Sequence, residues 1–292
     1  MKLKKIADTY RVNGGKHFRL KDFDPADTGH WKSKEHAEKT LMEKVAQTAD
    51  LQDKLYAQDT WSLLLIFQAM DAAGKDGAIK HVMSGVNPQG CEVHSFKQPS
   101  ETELQHDFLW RTTRALPERG HIGIFNRSHY EEVLVVRVHP KILDGQKIPG
   151  ALVGKKIWEE RFEDIRCFER HIARSGTVVR KFFLHLSKKE QKKRFLARLD
   201  EPEKNWKFSA GDIHERGFWD EYQNAYEEMI RNTATEESPW YVVPADNKWF
   251  TRLVVSTVIV DTLESLGLAY PKISEAERKE LAEARKELEA KK

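Results

Sequence analysis

Residues 63–77 read LLLIFQAMDAAGKDG, and this stretch sets the fold class predicted for the chain. The apolar run at 63–67 has the length and composition of a buried strand, and Ala78, Ile79 and Val82 have helical spacing. Strand, small-residue loop, lysine and helix form the layout of a phosphate-binding loop. In such a loop, backbone N–H groups and the helix N-terminus face the anion, and the lysine adds a positive charge.

The loop departs at two positions from the usual pattern G-x-x-x-x-G-K-[ST]. Ala69 replaces the first glycine, which is tolerated if the backbone there stays at negative φ. Asp76 replaces the hydroxyl residue and brings a second carboxylate close to Asp71. Two carboxylates beside a phosphate site indicate Mg²⁺, which prefers carboxylate, phosphate and water oxygens. The alternative is that Asp71 or Asp76 caps the helix and that Lys75 is a surface residue.

The rest of the chain alternates between strand and helix patterns. Strands are predicted at 62–67, 91–96, 121–126, 177–186 and 241–243, and helices at 33–57, 100–116, 155–174, 187–199, 218–231, 247–267 and 274–292. This alternation predicts an α/β fold, a three-layer arrangement with a parallel sheet flanked by helices. Ligands of such sheets bind at the carboxyl ends of the strands.

Three segments lack a clear periodic pattern. Residues 1–30 predict an extended arm that lies on the domain or on a neighbouring subunit. Residues 133–138 are β-branched and apolar, and the pattern leaves strand and helix open. Residues 200–218 are polar, contain Pro202, Gly211 and Gly217, and predict a long functional loop.

A second polar group follows the predicted strand 121–126. Its sequence NRSHYEE, at 126–132, places Arg127 where a guanidinium could bind a phosphate with two hydrogen bonds. Asn126 stands where many phosphate-loop enzymes have a metal-binding carboxylate, and Glu131 or Glu132 could supply the missing charge. The competing interpretation is a polar helix cap.

A third group is a run of cations from within the fourth predicted strand to residue 216. Its members are Arg180, Lys181, Lys188, Lys189, Lys192, Lys193, Arg194, Arg198, Lys204, Lys207 and Arg216. A charged helix is usually a solvated surface. A cationic helix followed by a long loop also suits a lid, which neutralises a transferring phosphoryl group and excludes water.

Composition excludes several classes of protein. The 292 residues carry a net charge of only +3, which argues against a nucleic-acid-binding protein. No uninterrupted run of apolar residues is long enough for a membrane span, and no signal peptide is expected after the charged residues 1–5. Cys91 and Cys167 lie far apart in the sequence and predict reduced thiols in a cytoplasmic protein.

The loop at 70–77, the segment FNRSHYEEVLVVRVH at 125–139 and the cationic region 192–218 together resemble the polyphosphate kinase 2 family. The likeness extends over about residues 55–265. Asn126, where many members have Asp, resembles the class III subgroup, which phosphorylates both AMP and ADP.

The resemblance implies a thymidylate-kinase-like phosphate-loop kinase (a Walker A protein) with a helical lid. It implies reversible Mg²⁺-dependent phosphoryl transfer from inorganic polyphosphate to AMP and ADP, giving ADP and ATP, with Mn²⁺ as an alternative metal. A homodimer or homotetramer is expected. The domains implied are an N-terminal arm and helix at 1–60, a kinase domain at 61–270 with a lid at about 188–218, and a charged helix at 271–292.

Roles follow for residues that match the family motifs. The catalytic set is Asp71, Lys75, Arg127, Glu131 and Arg180. The phosphate and nucleotide set is Ala72, Ala73, Gly74, Lys75, Asp76, Gly77, Asn126 and Arg127. The polyphosphate path and lid set is Lys80, Arg180, Lys181, Arg194, Arg198, Lys204 and Lys207. The metal ligands would be Asp71, Asn126 and Glu131.

Two other functions remain open from the residue pattern. One is an ATP-dependent nucleotide or small-molecule kinase of the same fold, which differs only in its phosphoryl donor. The other is a non-catalytic polyanion-binding protein that uses the cationic run and not the loop.

Overall fold

A six-stranded sheet forms the middle of the protein in the computed structural model, which describes residues 4–290. Residues 1–3 of the predicted arm and 291–292 of the predicted C-terminal helix lie outside the described residues. The strands are β1 (Arg11–Val12), β2 (Ser62–Gln68), β3 (Cys91–Ser95), β4 (Ile122–Asn126), β5 (Thr177–His185) and β6 (Trp240–Pro244). Their order is β1-β6-β5-β2-β4-β3, and only the β1–β6 pair is antiparallel.

The apolar composition of β2 fits its central place in the sheet. All seven of its residues are buried. Leu63, Leu65 and Phe67 pack into the core on one face of the sheet, and Leu64 and Ile66 pack into the core on the other. A strand that is buried on both faces has no polar side, which explains its continuous apolar run.

Helices cover both faces of the sheet. The α-helices of residues 4–290 are α1 (Lys4–Tyr10), α2 (Lys34–Gln58), α3 (Lys75–Val82), α4 (Trp110–Thr113), α5 (Val135–Val138), α6 (Ile157–Arg174), α7 (Lys188–Asp200), α8 (Pro202–Asn205), α9 (Ala210–Arg216), α10 (Trp219–Thr233), α11 (Lys248–Ser265) and α12 (Glu275–Ala290). Helices α1, α2, α3 and α11 share one core, and α6 and α10 share the other. The predicted three-layer α/β fold is therefore confirmed.

The topology favours a ligand site at the end of β2. β4 lies on one side of β2 and β5 on the other, so the chain changes direction across the sheet at this strand. A crevice opens at such a switch point, at the carboxyl ends of the strands. The segment that follows β2 is the phosphate-binding loop.

Several helix starts are as predicted. Ser33 accepts a hydrogen bond from the backbone N of His36 at the start of α2. Ser274 and Glu277 form a reciprocal capping box before α12. Ser187 caps α7 through the N–H of Glu190, but its own N–H donates to Asp246, so this capping box is only half formed.

Two predictions of secondary structure need correction, and one segment that the pattern left open is resolved. The capping box of Ser100 and Glu103 forms, but the predicted helix 100–116 is broken because Asp107 starts a new turn by accepting from the N–H of Leu109. The predicted loop 200–218 contains α8 and α9, which begin at Pro202 and after the cap Ser209. Residues 133–138, left open, end in the short helix α5.

The N-terminal segment is also more regular than the predicted extended arm. Helix α1 buries Ile6, Ala7 and Tyr10, and Tyr10 packs edge-on against Phe250 of α11. Farther on, the N–H of Leu20 donates to Glu227 of α10. These contacts attach the first part of the chain to both helical layers.

Helix α12 has no buried residue, and its expected role as an oligomer contact stays a prediction. Among residues 4–290, no helix has the length and apolar character needed to cross a membrane.

We expect Gly15→Ala to destabilise the fold. A Cβ atom at Gly15 would lie 1.7 Å from the carbonyl oxygen of Arg231, so the N-terminal segment would have to leave α10. Overpacking against a rigid backbone should lower the free energy of unfolding by about 3 kcal/mol. Urea denaturation measures this loss.

Gly14→Ala is the matched control, because no atom lies within 4 Å of its added Cβ. It should change stability by less than about 0.5 kcal/mol. Equal stability of the two variants would contradict the close packing of Gly15 on α10.

Candidate active site

The segment after β2 folds into a tight loop at the start of α3. Gly74 (φ 101°) and Ala72 (φ 63°) adopt left-handed backbone conformations, whereas Ala69 is not among the described residues with positive φ. The predicted tolerance for alanine at position 69 is therefore confirmed. The Lys75 Nζ donates to the carbonyl oxygen of Ala69 at 2.9 Å, which folds the side chain back over the loop.

The carbonyl groups of the loop are held by helix α7. Gln191 Nε2 donates to the carbonyl of Asp71 at 3.0 Å. Arg194 Nη1 donates to the carbonyls of Ala72 and Ala73 at 3.0 and 2.8 Å. We call Gln191 and Arg194 the carbonyl clamp.

Arg194 is fully engaged in this clamp. Its Nη2 donates to the carbonyls of Ala245 and Asp246 at 2.7 and 3.0 Å, and its Nε donates to Glu190 at 3.0 Å. A guanidinium carries five N–H donors, and here each has an acceptor. The side chain joins α7, the loop and the end of β6.

The clamp leaves the loop N–H groups free to bind an anion. The first hydrogen bond of α3 runs from the N–H of Ala78 to the carbonyl of Gly74. The N–H groups of residues 74–77 therefore have no partner within the helix and carry its positive end. A phosphate placed there would meet these donors together with the Lys75 ammonium.

The predicted residues after β4 meet the loop. Asn126 Nδ2 donates to Asp76 Oδ1 at 2.6 Å. Arg127 Nη2 donates to Asp71 Oδ1 at 3.2 Å, and the Arg127 backbone is left-handed, with φ 64°. A non-glycine residue in this conformation is strained, and such strain concentrates at functional sites.

Charges around Lys75 are closely coupled. Burial lowers the pKa of the Lys75 ammonium, and the carboxylates of Asp71, Glu131 and Asp76 oppose this effect. Burial raises the pKa of Glu131, and the charges of Arg127 and Lys75 oppose the rise. Burial would lower the pKa of Arg127, but Glu131 and Asp71 outweigh it and the pKa is raised. The five predicted residues Asp71, Lys75, Asp76, Arg127 and Glu131 thus form one electrostatic unit.

The loop forms one wall of a cavity of about 980 Å³. Nine cationic side chains line it, against two carboxylates, Asp71 and Asp76. The cations are Lys75, Lys97, Arg127, Arg194, Arg198, Lys204, Lys207, Lys248 and Arg252. Such an excess of positive charge in a concave site favours a ligand with several negative charges.

Sequence reasoning missed part of this lining. Lys97 follows β3, and Lys248 and Arg252 lie four residues apart on α11, on one face of the helix. The pKa of Lys248 is lowered, first by burial and then by the charges of Arg194 and Lys204. The sequence signal that could have revealed Lys248 and Arg252 was the Asp246-Asn247 pair, which marks the end of the last strand.

The predicted lid, at about 188–218, reaches the cavity through four basic residues. Arg194 and Arg198 come from α7, and Lys204 and Lys207 come from α8 and the turn after it. Arg198 pairs with Asp212 of α9 at 2.8 Å, and Lys204 pairs with Glu201. The predicted lid cations therefore do converge on the loop, although Arg194 acts there on backbone oxygens.

Two residues predicted for the phosphate path lie elsewhere. Arg180 donates to Thr262 and to the carbonyls of Val179 and Glu237, near the amino end of β6 and away from the loop. Lys181 is completely buried and pairs with Glu169 at 2.6 Å. The predictions for both are wrong, because long-range pairing on opposite faces of β5 engages both side chains.

Lys80 and Glu131 do not line the cavity among the residues described. Lys80 is exposed on α3. Glu131 lies in a short 3₁₀ turn at His129–Val133 and acts on Lys75 and Arg127 by charge.

The donor set fits a hard divalent cation. Residues 4–290 contain no group of three or more His, Cys, Asp or Glu side chains able to hold a metal ion alone. Asp71 and Asp76 nevertheless offer carboxylate oxygens at a phosphate-binding wall. Mg²⁺ is commonly held by one or two carboxylates and takes its other ligands from phosphate and water.

Comparison with known proteins identifies close relatives. A family model described as polyphosphate kinase 2 (PPK2) matches residues 30–269. An ADP-polyphosphate phosphotransferase of Rhodopseudomonas palustris is 57% identical, over 94% of this chain and 98% of that protein. An AMP/ADP-polyphosphate phosphotransferase of Meiothermus ruber is 47% identical, over 92% and 97%. The crystal structure of polyphosphate kinase 2 from Arthrobacter aurescens superposes with a TM-score of 0.86 at 40% identity, over 95% of this chain and 96% of that one.

We expect Arg194→Lys to loosen the phosphate-binding loop. A lysine ammonium has three donors on a single atom and cannot serve five acceptors around a planar fork. Amide hydrogen exchange at Ala73 and Ala78, whose N–H groups donate to the carbonyls of Met70 and Gly74, should become faster, as measured by mass spectrometry on the loop peptide. Arg198→Lys, four residues along the same helix, is the control and should leave that peptide unchanged. Unchanged exchange in Arg194→Lys would refute the clamp.

Proposed function

The chain belongs to the polyphosphate kinase 2 family and is a polyphosphate kinase, and from this premise we propose its detailed reaction. It transfers the terminal phosphoryl group of inorganic polyphosphate to AMP and to ADP, giving ADP and ATP, reversibly and with Mg²⁺. One observation carries the proposal: a phosphate-binding loop that ends at Lys75, the first residue of α3, forms the wall of a cavity with nine cationic side chains.

The donor is the substrate that needs this much positive charge. Its terminal phosphates bind the N–H groups of residues 74–77 and the Lys75 ammonium. The remaining chain extends along cations of the wall that pair with no loop carbonyl, among them Lys204, Lys207, Lys248 and Arg252. A repeating polyanion can contact all of these groups at once, whereas a single phosphate cannot.

The reaction needs alignment of the two substrates and neutralisation of charge more than it needs covalent participation by the protein. An oxygen of the acceptor phosphate attacks the terminal phosphorus, and the bond from that phosphorus to its bridging oxygen breaks. Negative charge grows on the bridging oxygen and spreads over the transferring group. Lys75 and Arg127 are placed to neutralise it, because both carry positive charge at the loop.

The acceptor side needs no strong general base. The phosphate of AMP or ADP is ionised at neutral pH and can attack without losing a proton. Glu131 therefore has another role in the proposal. Its charge balances Lys75 and Arg127 and fixes their positions when no substrate is bound.

Asp71 and Asp76 would hold the metal ion together with substrate phosphates, with Asn126 fixing the Asp76 carboxylate by its hydrogen bond of 2.6 Å. When bound, Mg²⁺ would neutralise phosphate charge and help to orient the donor.

We expect Lys75→Ala to lower kcat by at least about 10²-fold, or about 2.7 kcal/mol, because one charge that stabilises the transition state is lost. Purified protein with Mg²⁺, polyphosphate and AMP is followed by chromatography of the nucleotides. Lys80→Ala, five residues further along the exposed side of α3, is the control and should keep its turnover.

The same assay separates the competing functions. Wild-type protein should form ADP and then ATP. No nucleotide product beside an active reference enzyme would overturn the proposal. Polyphosphate binding that survives Lys75→Ala, with no product from wild type, would indicate a non-catalytic polyanion-binding protein.

We expect metal removal to abolish turnover. EDTA should stop the reaction and excess Mg²⁺ should restore it. Ca²⁺ should restore it poorly, because Ca²⁺ binds oxygen at longer distances and with less fixed geometry. Asp71→Asn should raise the Mg²⁺ concentration needed for half-maximal rate, whereas Asp22→Asn, at an exposed site, should not. Full activity in EDTA would rule out the metal requirement.

A further inference from the structure

A buried polar network lies next to the segment that carries Arg127 and Glu131. Lys181 of β5 is completely buried, and its Nζ donates to Glu169 Oε2 at 2.6 Å, to the carbonyl of Thr233 at 2.8 Å and to the Tyr130 hydroxyl at 3.0 Å. An ammonium has three N–H donors, so none is left over.

Tyr130 connects this network to the site. Its hydroxyl donates to Glu169 Oε1 at 2.6 Å, so both carboxylate oxygens of Glu169 are engaged. Its backbone N–H donates to Ser128 Oγ at 3.1 Å, and that same oxygen accepts from Gln68 at the end of β2 at 3.3 Å. Residues 128 and 130 are thereby fixed from two sides.

The residues on either side of this anchored pair are the ones that act on the loop. Arg127 contacts Asp71, and Glu131 acts on Lys75 and Arg127 by charge. Arg127 also holds a left-handed backbone conformation that a non-glycine residue does not adopt freely. Such a conformation persists only where the surroundings impose it.

Stability alone does not account for an ion pair at this depth. Transferring two charges from water to a protein interior is unfavourable, and well-packed apolar residues of similar size often give equal or greater stability. Burial alone would raise the pKa of Glu169, but Lys181 and His129 together outweigh it and the pKa is lowered, while burial lowers the pKa of Lys181. The directional hydrogen bonds of this pair fix Tyr130 in one place.

We propose that Lys181, Glu169 and Tyr130 form a positioning network that holds Arg127 and Glu131 in their productive places against the phosphate-binding loop. The three residues contact neither substrate nor metal and act through the segment 127–131. This inference rests on the proposed function, since it assigns Arg127 its role in phosphoryl transfer.

Tyr130→Phe tests the network with the smallest change. It removes the hydroxyl but leaves the ring and the Lys181–Glu169 pair. We expect kcat to fall about tenfold while the KM values for AMP and polyphosphate stay within about twofold, because alignment and not binding is lost.

Tyr10→Phe is the matched control. It also removes a tyrosine hydroxyl bonded to a carboxylate, that of Asp27 at 2.6 Å, in the N-terminal segment. Its kcat should equal that of wild type, and its melting temperature should resemble that of Tyr130→Phe. A purely structural role for Tyr130 would predict lost melting temperature with unchanged kcat, which would overturn the inference.

A double-mutant cycle with Arg127→Lys shows whether Tyr130 acts through Arg127. The two losses in kcat should not multiply, because Tyr130→Phe removes an alignment that Arg127→Lys has already lost. Losses that multiply fully would overturn the inference.

If Tyr130→Phe does not fold, a second variant tests the network. Lys181→Met combined with Glu169→Leu removes both buried charges together, so no unpaired charge remains. This protein should fold and show the same loss of kcat with little change in KM. Wild-type kcat in the folded double variant would overturn the inference.

Hydrogen exchange separates this inference from the proposed function. Amides of residues 126–131 should exchange faster in Tyr130→Phe than in Tyr10→Phe, whether or not the protein is active. If wild type makes no nucleotide product, the proposed function fails, and the role of the network in holding segment 127–131 is still decided by exchange. Equal exchange in both variants would refute it.

Discussion

When the N–H groups of a loop face an anion, its carbonyl groups point away from the anion and need other hydrogen-bond partners. Each peptide unit carries a donor and an acceptor that point in opposite directions, and a buried carbonyl needs a partner. Here the carbonyls of residues 71–73 are taken by Gln191 and Arg194 of α7. The site therefore depends on a helix that follows β5, on the far side of the switch point from β4. The guanidinium of Arg194 fixes the loop, helix α7 and the end of β6 to one another. Helix α7, with which the predicted lid begins, is therefore part of the rigid site. Only the later helices of the predicted lid, α8 and α9, are free of the loop.

Charge is distributed unevenly around this loop. The cavity side carries nine cations and two carboxylates, which is unfavourable without an anionic ligand. Glu131 lies outside the cavity lining and compensates part of that charge through Lys75 and Arg127. Substrate phosphates would complete the compensation. The buried pair Lys181–Glu169, by contrast, is neutral as a unit and adds no net charge beside the site. The protein thus keeps charges that bind substrate apart from charges that fix its own backbone.

The sequence was enough to predict the layers of the fold and the centre of the site. Periodicity of 2 and 3.6 residues revealed the alternation of strands and helices, and the loop at 70–77 revealed the carboxyl end of the central strand. The places of residues 126 and 127 beside the loop were predictable because a polar motif directly follows a buried strand, whereas Glu131 of the same motif does not line the cavity. Arg180 and Lys181 were misplaced because neighbours on a strand point to opposite faces, and only tertiary contacts decide what each face meets. Lys248 and Arg252 were missed because their proximity to the loop comes from the packing of α11. The break at Asp107 was missed because the cap at Ser100 is a genuine helix start, and nothing local shows that a second start follows.

The carbonyl clamp also has a consequence for how this protein can vary during evolution. Arg194 contacts four main-chain oxygens and one side chain, Glu190. Main-chain oxygens are the same for every amino acid, so substitutions at residues 72, 73, 245 and 246 do not change what Arg194 binds. No substitution at those positions can compensate for loss of the arginine either. Position 194 would therefore vary little among homologues and show almost no pairwise covariation, although it joins three separate parts of the chain. Methods that infer contacts from correlated substitutions would not detect this connection.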